Sequence, residues 1–96
     1  MRILALEIEK SAAPEHELQE LLVEEARSVW RLYQEGVIRE AYFRADRRAA
    51  VLLLESDSEA EARRRLSDLP LVSAGIIDFE IITLVPYSGF SRLFAI

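Results

Sequence analysis

The chain has no cysteine. Disulfides, thiolate metal sites and cysteine nucleophiles are therefore excluded, and cysteine usage says nothing about redox compartment. It has one histidine, His16, so a histidine-rich metal site of the usual kind is absent as well. His16 lies between Glu15 and Glu17 in what reads as a first helical turn, a solvated position. No stretch approaches the roughly 18 apolar residues of a membrane span, and the apolar run after Met1 is too short for a signal peptide. The expected location is the cytoplasm. Positive charge is in short supply: 12 Lys and Arg stand against 17 Asp and Glu, a net charge of −5. That argues against a nucleic-acid partner, because phosphate binding needs a cationic face. It still allows a small anion held by one arginine. With only three glycines, there is no glycine-rich phosphate loop, and no nucleophile elbow is present.

What is present is apolar. Hydrophobic residues make up 51% of 96, too many for a disordered chain, and the length fits one domain spanning residues 1–96. A domain of this size buries only about 60–65% of its unfolded surface, so association between copies has a stabilising role.

The pattern alternates between two periods. Residues 2–9 read as a strand, with Leu4, Leu6 and Ile8 opposite Ile3, Ala5, Glu7 and Glu9. Pro14 suits the first turn of a helix that carries Leu18, Leu21, Leu22, Val29, Leu32 and Tyr33 on one stripe and ends at Gly36. Glu15, Glu17, Glu20, Glu24 and Glu25 read as its wet side. Trp30 lies off the stripe, where a subunit contact and an edge-of-core position are equally good readings. Residues 37–45 and 49–55 form a hairpin across Asp46-Arg47-Arg48. Ser58 and Glu61 match a capping box, opening a helix that runs to about Leu69, with Pro70 and Gly75 at its end. Arg63, Arg64 and Arg65 read as a solvated face pairing with Glu59 and Glu61. A last strand covers roughly 76–85.

The order βαββαβ is the ferredoxin-like α+β plan, one antiparallel sheet with both helices on one face. A one-sided sheet should alternate apolar and polar residues, yet 51–54 are apolar throughout and the last strand is apolar on both faces. The economical cover for the second face is the same face of another copy, giving a dimeric α+β barrel. Tyr87, Phe90, Leu93, Phe94 and Ile96 would be an exposed patch on a monomer, and are expected to pack on a neighbour as a C-terminal arm. Glu7, Arg39, Glu40, Tyr42, Arg44, Asp78 and Glu80 are charges or polar groups on otherwise apolar strands. Parity groups Arg39 with Val37, Ala41 and Phe43, and Glu40 with Ile38, Tyr42 and Arg44; which set faces the helices depends on any bulge. Such groups need partners or a ligand.

Gln34-Glu35-Gly36, the arginine at 39, the helix start at Ser58 and Leu66…Leu69-Pro70-Leu71 resemble the muconolactone isomerase family, in an ungapped register from about Leu21 to Leu84. The resemblance implies a ferredoxin-like barrel dimer, sometimes built into larger rings, whose C-terminal segment crosses to a neighbour. It also implies proton transfer on a small carboxylated lactone without cofactor or metal. Carried over by position, Arg39 becomes the anion anchor, Glu24 or Glu25 the proton-transfer carboxylate and Tyr42 an orienting group. Glu40 and Arg47 stand where the family's isomerase carries histidines, and the sequence from Pro86 onward differs. The leading expectation is a cofactor-free isomerase acting on a small carboxylated molecule. A non-catalytic ligand-binding or assembly module and a cofactor-free oxygenase are the alternatives.

Overall fold

The computed structural model describes residues 1–94. Four strands, β1 (Arg2–Glu9), β2 (Ile38–Phe43), β3 (Ala50–Glu55) and β4 (Ile77–Leu84), alternate with helices α1 (Glu15–Gln34), α2 (Glu59–Ser67) and the single turn α3 (Pro70–Ser73). A 3-10 helix, Ser88–Leu93, follows β4. The sheet order is β2-β3-β1-β4, and every neighbouring pair is antiparallel. This is the ferredoxin-like α+β arrangement expected from the sequence.

The helix ends follow from local chemistry. Gly36, at φ 79°, occupies the left-handed position that follows the last turn of α1. Its N–H donates to the Tyr33 carbonyl and that of Val37 to the Leu32 carbonyl, the paired bonds of a Schellman stop. Gly75 repeats the device after α3, with φ 75° and bonds from Gly75 to Val72 and from Ile76 to Leu71. Ser58 caps α2, its Oγ accepting the Glu61 N–H at 3.0 Å. Glu61 does not return the bond of a full capping box; its carboxylate takes Arg64 and Arg65 instead. Pro70 does more than end a helix, because it opens α3 as a residue suited to a helical first turn.

Ile3 and Ala5 of β1, Leu52 and Leu54 of β3, and Ile77 and Phe79 of β4 share the buried face with Leu32, Ala62, Leu66, Leu69 and Leu71 from the helical side. A bulge between Ile38 and Glu40 decides the facing of β2. The extra residue, Arg39, lets buried Ile38 join Ala41 and Phe43 on the helix side and leaves Glu40 and Tyr42 on the other. That outer face carries Leu4, Leu6 and Ile8 of β1, Val51 and Leu53 of β3, and Ile82 and Leu84 of β4, paired across the strands. No helix of the described residues is long and apolar enough to cross a membrane.

Candidate functional site

The α1 stripe is less buried than its periodicity suggests. Leu32 is buried, Leu18, Leu21 and Val29 are half-buried, and Leu22 and Tyr33 are exposed. The cause lies in what faces it. Ala26 on α1 and Ala41 and Ala50 on the sheet supply little bulk, and Glu7 and Glu25 point into the same gap. A cleft of about 1310 Å³ results between α1 and the sheet, larger than the few hundred to about 1,000 Å³ that one small ligand usually occupies. Leu18, Val29, Leu52, Leu71 and Phe79 form its apolar lining, with Trp30, Tyr33 and Phe43 toward its exposed side. Trp30 and Tyr33 stack with ring centres 5.6 Å apart.

Glu25 is a half-buried carboxylate of this cleft, as is Glu7. Its Oε1 accepts the Leu71 N–H at 3.0 Å, one of the amides that the first turn of α3 leaves without a helical partner. Burial pushes its pKa above the usual carboxylate value; the Leu71 bond opposes that shift and the charge of Glu7 adds to it. Glu7 accepts the Ala50 N–H at 3.2 Å from β1. Two carboxylates from different elements therefore share one apolar cleft, each oriented by one backbone amide.

The other residues singled out from the sequence lie elsewhere. Glu24 points outward and pairs with Arg27 at 2.8 Å. Arg39 is exposed on the bulge, donates from Nε to the Gly36 carbonyl at 2.7 Å, and is not among the residues lining the cleft. Tyr42 touches the cleft margin on exposed β2, but its hydroxyl donates to Glu40 on the outer face. Of the four, only Glu25 projects its functional group into the cleft. His16 is solvated beside Glu17. Among the described residues, no group of three or more His, Asp or Glu is placed to hold a metal ion. The partners of Glu7 and Glu25 were not legible, since both amides come from segments distant in sequence.

The strand order, the one-sided helices and the cleft beneath α1 define a ferredoxin-like α+β protein with a helix–sheet site. Its fold is that of muconolactone isomerase: the solved structure of that enzyme superposes with a TM-score of 0.79 at 21% identity, over 92% of each chain. The 5-chloro-2-hydroxyhydroquinone dehydrochlorinase TftG from Burkholderia phenoliruptrix AC1100, solved with 2,5-dihydroxybenzoquinone, superposes with a TM-score of 0.61 at 16% identity. That match covers 93% of this chain and 98% of the other. No family model matches the sequence, and no curated protein matches it.

Proposed function

We propose that this protein is a cofactor-free proton-transfer enzyme of the isomerase type, acting on a small carboxylated, unsaturated molecule held in the helix–sheet cleft. The observation that carries the reading is Glu25, a half-buried carboxylate with a raised pKa in an apolar cleft. A raised pKa brings a carboxylate closer to neutrality, where a general base both holds its ionised form and gains driving force for taking a proton.

In the reaction, ionised Glu25 takes a proton from a carbon next to a carbonyl, and the electron pair moves into the conjugated system. Return of that proton at a different carbon completes a double-bond shift with no change in atoms or oxidation state. Glu7 lines the same cleft, and its charge adds to the upward push on the Glu25 pKa. Support comes from the similar folds: one belongs to an isomerase of a lactone, the other to an enzyme named for removing hydrogen chloride from a chlorinated hydroquinone. Both names describe rearrangement or elimination on a small oxygenated molecule.

The competing reading is structural, because Glu25 also satisfies an amide of α3. Glu25→Gln separates the two, since the amide oxygen still accepts from Leu71 but cannot take the proton. With muconolactone as probe in deuterated buffer, NMR should show wild-type protein exchanging the carbon-bound proton. The variant should lose that exchange by about 100-fold or more while keeping its circular dichroism spectrum. Wild-type exchange no faster than buffer, or an unaffected variant, overturns the reading.

We further propose that the working form is a homo-oligomer in which a second copy covers the outer sheet face. Ile8, Ile82 and Leu84 on that face are exposed in the single chain, as are Tyr87, Phe90, Leu93 and Phe94 beyond it.

A further inference from the structure

We propose that Arg47 and Arg48, on the turn between β2 and β3, anchor the carboxylate of a flat anionic ring seated against the aromatic side of the cleft. This rests on the cleft being the reactive site and changes which residues recognise the ligand.

The turn is closed by bonds from the Arg44 N–H to the Ala49 carbonyl at 2.9 Å and from the Ala49 N–H to the Arg47 carbonyl at 2.8 Å. Three arginines and one aspartate, Asp46, occupy it. Asp46 is committed: Arg44 grips it through Nε at 2.9 Å and Nη2 at 2.7 Å. That leaves Arg47 and Arg48 with no carboxylate in ion-pair range among the described residues, and both line the cleft. Among the described residues these two unpaired cations make the turn locally positive on a chain of net charge −5. They set a cationic end to a cleft whose acidic lining is Glu7, Glu9, Glu25 and Glu80.

Arg48 is also held in place. Its guanidinium lies over the Phe43 ring, 4.9 Å from the centre. Stacking occupies the face of a guanidinium and leaves its edge N–H groups to grip a carboxylate in a bidentate fork. Phe43 and Arg48 thus place an aromatic ring and a cation next to each other, the features that a ring carboxylate matches. Arg39 offers no comparable arrangement, being turned to the Gly36 carbonyl outside the cleft lining.

The test is a titration of the full-length protein with benzoate and, separately, with its uncharged analogue benzamide, followed by NMR or calorimetry. Benzoate should bind at least about tenfold more tightly, the value of one or two charge-assisted hydrogen bonds. The double variant Arg47→Gln, Arg48→Gln should weaken benzoate by about tenfold or more and leave benzamide unchanged. Arg39→Gln should leave both unchanged. Equal binding of the two probes, an unaffected double variant, or a loss that follows Arg39 instead overturns the assignment. Glu25→Gln keeps this test separate from the reaction: it should retain or tighten benzoate binding while abolishing proton exchange. A wild-type protein that binds benzoate through Arg47 and Arg48 yet exchanges no proton would refute the reaction and leave the anchor standing.

Discussion

Glu24 and Glu25 differ by 100° around α1, and that rotation separates a surface ion pair from a cleft carboxylate. Sequence alone leaves them interchangeable, because both fall on the acidic side of an imperfect stripe. What distinguishes Glu25 is the Leu71 amide, 46 residues away, and no local pattern carries that information. The environment of Glu25 makes a pH prediction with a definite sign. Its folded pKa is raised from 4.5, mainly by burial. Folding therefore favours the neutral form, and that contribution is fully present below the unfolded pKa and lost as pH rises through the folded pKa. Glu25→Gln carries no such titration. Thermal melts should show the variant gaining on wild type between mildly acidic and neutral pH; a melting difference independent of pH would mean that Glu25 is solvated like its neighbour. Arg39 teaches the converse lesson. An arginine after a helix stop invites a functional role, but the bulge that contains it turns it to the Gly36 carbonyl.

At the level of elements, most of the fold was legible because it rests on local chemistry. Gly36, Ser58, Pro70 and Gly75 each act where they stand in sequence, and the strands stand out as short apolar runs between turn signals, alternating in β1 but not in β3. The facing of β2 was not legible, because it turns on one inserted residue. Strict parity groups Ile38 with Glu40, whereas the bulge buries Ile38 and exposes Glu40. The cleft was also hidden: an apolar helical stripe reads as a packed one, and the small side chains of Ala41 and Ala50 opposite it leave space unfilled. Two element-scale substitutions follow. Gly36→Ala forces a Cβ into φ 79°, although the nearest atom it would meet, Arg39 Nη2, is 4.0 Å away. The cost is therefore conformational and should be about 1–2 kcal/mol. Ser58→Ala removes the cap on the Glu61 amide and should cost about 1 kcal/mol. Urea denaturation at fixed protein concentration checks both. A Gly36→Ala variant as stable as wild type would show that the α1 stop does not depend on the left-handed residue.

The whole molecule is longer than its core requires. A compact chain of this length has a radius of gyration of about 12–13 Å, against 15.9 Å here, and the longest axis is 63 Å. Helix α1 spans about 30 Å and an eight-residue strand about 26 Å, so the excess belongs to the segment after β4. That segment leaves the sheet at Leu84, which pairs with Arg2, the end of β1 remote from Glu7 and the β2–β3 turn. It turns away with little internal order, namely an edge-on contact of Tyr87 and Phe90 at 4.9 Å and a 3-10 turn. Ile96, the last apolar position of the stretch, lies outside the described residues. Val85, Tyr87, Phe90, Leu93 and Phe94 are each at least 65% exposed, a cluster in sequence of the large apolar side chains that a partner surface usually covers. At about 25 cal/mol per Å², burying such side chains on a neighbour is worth roughly 1.5–3 kcal/mol apiece before ordering costs. A chain ending after Pro86 should therefore have a lower mass by light scattering or lose solubility, with the β1–β4 sheet still folded by circular dichroism. If the shortened chain keeps both the mass and the solubility of the full one, the arm contributes nothing to assembly.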